Sequence, residues 1–142
     1  MPRSATGRHT VRQASLALTR LVALLVVVTA FGSGFAFADG DLAKGVKIFE
    51  RECALCHTIG KGEPNRFGSN LFGITQRKAA TAPGYKYSQQ FTAMATWIWT
   101  PDRVASFVVA PAATIPGNKM SVFQGVADSD LDDLIAYLAA QK

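Results

Sequence analysis

The amino-acid sequence predicts a small all-α domain. Three observations carry that prediction. Apolar residues recur at helical spacing in several segments, bounded by capping residues or proline. No segment shows a convincing strand pattern, and there is no internal repeat or phosphate-binding glycine loop. A glycine-dotted stretch over residues 58–87 is long for a structureless loop in so small a domain, so it needs something to fold around.

The chain has 142 residues, enough for one domain. Its first 38 residues hold four arginines, Arg3, Arg8, Arg12 and Arg20, and no acid. They precede an apolar run that ends in Ala36-Phe37-Ala38, a small-x-small cleavage signal. Gly32 and Gly34 interrupt that run, and its unbroken part, Leu21 to Val28, is short for a membrane span. Residues 1–38 therefore read as a secretory signal, cut after Ala38. No two arginines are adjacent, so the signal is Sec-type rather than twin-arginine. The alternative is an uncleaved anchor in the inner membrane. Cleavage leaves residues 39–142 as the working domain, in the periplasm of a Gram-negative host.

The overall charge of +5 misleads, because it sits in the leader. Four of the fifteen basic residues lie there, leaving eleven against ten acids and a net +1 from residue 39 onward. That balance excludes a nucleic-acid-binding reading.

The first helix of the domain runs from about Asp41 into "CALCH", with Leu42, Gly45, Val46, Phe49 and Cys53 at helical spacing. Gly45 in mid-helix costs about 1 kcal/mol against alanine, which argues for a close helix–helix contact. In the stretch 58–87, Phe67, Leu71, Phe72 and Ile74 speak against a mobile linker. "SQQFTAM" reads as a short helix. A clearer helix follows Thr100, which caps it, with Pro101 at the first position, Asp102 at the positive end and Pro111 stopping it near Ala110. The last helix is "DSDLDDLIAYLAAQK". Ser129 caps it, Asp130, Asp132 and Asp133 occupy its first turn, and Leu131, Leu134, Ile135 and Leu138 form its buried stripe.

The chemistry lies in Cys53-Ala54-Leu55-Cys56-His57. Structural zinc needs four ligands, and the domain holds two cysteines and one histidine. A redox dithiol wants a βαβ context that is missing. A disulfide across two residues closes a tiny loop and gains little stability. C-x-x-C-H is instead the signature of covalent haem attachment. Two thiols one helical turn apart meet the two vinyl groups as thioethers, and the next residue presents its imidazole to the iron. Two methionines, Met94 and Met120, are candidates for the other axial position. Met94 lies in a helix beside Trp97 and reads as core packing. Met120 lies in the extended Pro-Gly loop "TIPGNKMSVF", free to approach the iron, and residue physics favours it without excluding Met94.

Five segments in order, "GVKIFERECALCH", "SNLFGITQRKA", "APGYKYS", "IPGNKM" and "LIAYL", resemble a class I cytochrome c, of the branch holding mitochondrial cytochrome c and bacterial cytochrome c2. The resemblance covers nearly all of residues 40–141. It implies the small cytochrome c fold, four to five helices wrapped around one covalent haem c. It makes Cys53 and Cys56 the thioether sites, and His57 and Met120 the axial iron ligands. Arg77, Tyr87 and Trp99 match positions around a haem propionate, as a cation, a hydroxyl and an indole donor. The backbone carbonyl at Ser69 matches one that accepts a hydrogen bond from the histidine. Gly45 and Phe49 match residues that meet the last helix near Leu134 and Tyr137.

The sequence departs from the family pattern in several places. Ser69 replaces a proline, which leaves that loop less stiff. Gln76 replaces a glycine before Arg77. Phe107 stands where many relatives carry a tyrosine near the methionine sulfur, so a hydroxyl is missing there. Arg66 and Lys119 match the lysine ring that relatives place around the exposed haem edge. Lys61, Lys78 and Lys86 add positive charge, and Glu52 puts an acid where a lysine is common.

No group is placed as an acid–base catalyst, so the expected role is an electron carrier and not an enzyme. The resemblance implies a membrane quinol–cytochrome c oxidoreductase as donor and a terminal oxidase or reductase as acceptor. It implies a soluble monomer. The competing readings are a membrane-anchored subunit of an oxidase or dehydrogenase complex, and a haem peroxidase or sensor with Met120 displaced.

Overall fold

The computed structural model describes residues 40–142; the leader and its cleavage site lie outside the described residues. Five helices follow one another: α1 Leu42–Glu52, α2 Gln89–Met94, α3 Pro101–Val109, α4 Pro111–Thr114 and α5 Asp128–Ala140. Among the described residues there is no β-strand, only an isolated antiparallel bridge between Lys78 and Ile98. No helix there is long and apolar enough to cross a membrane.

Helix α1 starts because the Asp41 carboxylate accepts the amides of Ala43 and Lys44. Its buried face is Gly45, Ile48 and Phe49, whereas Leu42, expected on that face, is 52% exposed. The helix packs across α5. Gly45 is the contact point: a Cβ built there would fall 2.6 Å from the Tyr137 Cβ and closer still to the Asp133 carbonyl oxygen. Only glycine lets the two backbones approach this far. Phe49 meets Tyr137 at a ring separation of 5.7 Å, and the Asp41 amide donates to the Asp133 carboxylate at 2.6 Å. The expected crossing near Leu134 and Tyr137 is therefore present, with Asp133 as the closest backbone.

Helix α2 is capped by Ser88, which accepts from the Phe91 amide. Helix α3 begins as its sequence dictates, with the Thr100 hydroxyl accepting from the Arg103 amide and Pro101 at its first position. Pro111 ends α3 and then starts a further turn, α4, which the sequence reading left out. Proline lacks the amide needed to continue a helix, yet its fixed φ suits the first position of the next one.

The expected cap of α5 is wrong. Ala127 holds the N-cap position with no side-chain hydrogen bond, and the helix begins one residue before Ser129. The first turn carries Asp128 and Asp130, while Asp133 is spent on Asp41. The buried stripe holds at Leu134 and Leu138, with Leu131 and Ile135 half-buried. Ile115, Leu134, Leu138 and Pro111 are the largest fully buried side chains among the described residues.

Residues 58–87 are ordered by turns and side-chain hydrogen bonds rather than by helices. Asn70 donates to the Thr58 hydroxyl and the Gly60 carbonyl, and accepts from Phe72. Backbone bonds from Gln76 to Trp99, Trp99 to Arg77 and Ala79 to Trp97 pin this stretch against residues 97–99.

Candidate haem site

Helix α1 delivers the cysteine–histidine motif. The helix proper ends at Glu52, one residue before the motif, with Cys53 as its C-cap. Helical spacing nevertheless continues, since the His57 amide bonds the Cys53 carbonyl at 2.9 Å. Cys53, Cys56 and His57 all line one cleft. Cys53 is buried and Cys56 exposed. Burial, with smaller contributions from Glu52 and Cys56, pushes the Cys53 thiol up to about 12. Cys53 is thereby held as the neutral thiol, a poor nucleophile in its own right.

The His57 ring is oriented by a single bond. Nδ1 lies 2.6 Å from the Ser69 carbonyl oxygen. A carbonyl only accepts, so Nδ1 carries the proton and Nε2 keeps its lone pair. Burial lowers the imidazole below the ordinary histidine range, opposed by the Ser69 carbonyl, and so favours the neutral, metal-binding form. Gly68 flattens the loop against the ring: a Cβ there would sit 2.6 Å from Nδ1. Sequence reasoning missed Gly68, although its place beside Ser69 was a signal for close backbone approach.

The two methionines separate in space. Met120 is half-buried and lines the cleft. Met94 does not, and at 47% exposed it is not the core residue the sequence suggested. Helix α2 is only six residues long and buries Phe91 instead. Next to Met120, Lys119 reaches across to the Lys86 carbonyl and over the Tyr85 ring at 5.3 Å, tying the methionine segment to the opposite wall. Asn118, also missed, is almost fully buried and lines the same cleft.

The cleft is open to solvent and has about 1160 Å³ of empty space, counting that open part. Its walls are apolar: Leu71, Ile74, Phe91, Trp99, Phe107 and Leu138 all contribute. Phe107 fills its place by edge-on contacts with Phe91 at 5.9 Å and Trp99 at 5.4 Å. Phe67, one of the apolar residues of the 58–87 stretch, lines the cleft yet is 84% exposed, at its mouth.

Of the three residues matched to a propionate, Tyr87 and Trp99 line the cleft and Arg77 does not. Arg77 lies behind them, half-buried, donating to the carbonyls of Asn70 at 2.8 Å and Phe72 at 3.2 Å. Burial lowers its pKa and the Tyr87 phenol opposes that. Among the described residues no carboxylate pairs with this cation. A half-buried guanidinium without a counter-charge, beside a cleft with only Glu52 as an acid in its lining, suits a ligand that brings its own carboxylate.

The charged rim is sparse. Lys119 and Glu52 are the charged residues of the cleft lining, while Lys61, Arg66, Lys78 and Lys86 do not line it. Gln76 has φ 87°, the left-handed region that the family's glycine adopts freely.

The donor set thus consists of two thiols, an oriented neutral imidazole and a thioether, on apolar walls beside an uncompensated cation. These residues fit haem c. Comparison with known proteins agrees. The cytochrome c family model matches residues 42–142. Cytochrome c2 of Agrobacterium tumefaciens is 42% identical over 102 residues, covering 70% of this chain and 91% of that protein. Cytochrome c2 of Rhodospirillum rubrum is 35% identical over 131 residues, covering 86% and 96%. Cytochrome c of Sesamum indicum is 42% identical over 100 residues, covering 70% and 88%. On the matched span and the site chemistry together, this chain belongs to the cytochrome c family.

Proposed function

We propose that the protein is a soluble periplasmic carrier whose haem iron is held by His57 and Met120, with Cys53 and Cys56 as the thioether residues. As a cytochrome c it carries one covalent haem and passes single electrons between redox partners; it is not an enzyme. The haem supplies the one-electron couple. The chain does the rest. The Ser69 carbonyl holds the His57 ring in the tautomer that offers Nε2. Phe91, Trp99 and Phe107 exclude water, which favours the less charged reduced centre and raises the potential. Tyr87, Trp99 and, from behind, Arg77 stabilise a propionate. The open mouth at Phe67 leaves one edge of the group near solvent for transfer.

The observation that carries this reading is that Cys53, Cys56, His57 and Met120 all line one apolar cleft. The partners we propose are a quinol–cytochrome c oxidoreductase as donor and a terminal oxidase or reductase as acceptor. Export rests on the cleavage signal ending at Ala38. The test is the near-infrared sulfur-to-iron band of the ferric protein, which Met120→Ala should abolish. A haem spectrum without that band in the parent protein overturns the ligation. A mature N-terminus at Asp39 supports the free carrier; retention of Leu21–Phe37 makes the protein an anchored subunit instead.

A further inference from the structure

We propose that Asn118 is a positioning residue for Met120: it references the methionine backbone to the core and keeps the distal face closed to small exogenous ligands. This rests on the His57/Met120 reading above. The Asn118 side chain is 3% exposed. Its Nδ2 donates to the Pro111 carbonyl at 2.8 Å and the Ile115 carbonyl at 2.7 Å. Its Oδ1 accepts the Met120 amide at 2.6 Å. One amide group therefore ties both ends of α4 to the residue two positions on.

The need for such a tie follows from the local chain. No helix covers residues 116–122, and Gly117 turns the backbone through φ 77°. A methionine side chain has three soft torsions and a weak donor sulfur. Its reach to a metal is defined only if its own backbone is fixed. Helix α4 provides the fixed point, because Pro111 at its start and Ile115 at its C-cap are both among the best-buried side chains. Only a primary amide does all three jobs. Aspartate keeps the acceptor but loses both donors, a hydroxyl supplies a single donor, and leucine supplies nothing.

The test uses the ferric holoprotein with haem attached. Its readouts are the sulfur-to-iron band, the affinity for added imidazole and the denaturant midpoint. Asn118→Ala should weaken the band and raise imidazole affinity roughly two- to tenfold, since at least one net hydrogen bond of positioning is lost. Asn118→Ser, whose hydroxyl can still accept the Met120 amide and adds no buried charge, should fall between the two and covers the case in which the alanine variant fails to fold. Leu131→Ala on α5, away from the cleft, is the stability control and should leave imidazole affinity unchanged. Parent-like band and affinity in both Asn118 variants overturn the proposal while leaving Met120 ligation intact. An equal rise in Leu131→Ala makes the effect global and also overturns it. Absence of the band in the parent protein removes the ligation reading and the proposal with it.

Discussion

Replacing Gln76 by glycine should stabilise the protein. Gln76 sits at φ 87°. Its side chain is exposed and makes no hydrogen bond among the described residues, while its amide is committed to the Trp99 carbonyl at 2.7 Å. The backbone there is thus held in place by the sheet-like contact to residues 97–99, and the residue type accepts the strain. A left-handed φ costs an L-residue about 1–2 kcal/mol. Glycine relieves that but loses roughly 0.5–1 kcal/mol more backbone entropy on folding. The net gain is about 0.5–1 kcal/mol, or roughly 2–8 °C in Tm for a domain near this size. Gln76→Ala is the control. It removes the side chain and keeps the strain, so its effect should stay within about 0.5 kcal/mol. Thermal unfolding of the ferric holoprotein by circular dichroism reads both. A Tm that is unchanged or lower in Gln76→Gly refutes the argument. An equal rise in Gln76→Ala does too, because it assigns the gain to the side chain and not to φ.

Three further outcomes are expected. Gly45→Val places its Cβ on the Asp133 carbonyl and the Tyr137 Cβ, forces α1 off α5, and should lower the denaturant midpoint by the equivalent of about 2–3 kcal/mol; a midpoint within error of the parent contradicts the close contact. Ser69→Pro stiffens the loop under His57 without removing a recorded hydrogen bond, since the carbonyl is what His57 uses, and should add about 0.4–1 kcal/mol; an unchanged Tm counts against it. Stopped-flow electron transfer to an acidic redox partner should slow only moderately with rising salt, because the cleft lining carries both Lys119 and Glu52 and the domain charge is near neutral; rates independent of salt would remove steering altogether.

The sequence by itself determined what is local. Thr100 and Pro101 announce the start of α3 because a cap and a fixed φ act within one turn. Asp41 does the same for α1. Cys53, Cys56 and His57 are legible because covalent attachment needs a fixed spacing within one turn of chain. Gly45 pointed to a helix crossing because a glycine there has no local reason. The departures at Ser69, Gln76 and Phe107 were visible only through resemblance, and the left-handed φ at Gln76 became evident with the backbone.

What the tertiary structure decided is which residues meet across the fold. Leu42 and Ile48 both suit an amphipathic helix, and the position of α5 buries Ile48 and leaves Leu42 out. Ser129 is a good cap in isolation, yet α5 starts earlier, with Asp133 drawn to the Asp41 amide. Met94 and Met120 are equivalent thioethers in a list of residues, and only packing exposes one and turns the other into the cleft. Arg77 is placed behind the cleft wall by bonds to the carbonyls of Asn70 and Phe72. Asn118 shows the difference most plainly. Asparagine after glycine signals a turn, but its three backbone partners span residues 111 to 120 and converge only once α4 has packed into the core. Capping, spacing and glycine act over one turn and can be read along the chain; burial and hydrogen-bond convergence depend on distant segments and exist only in the fold.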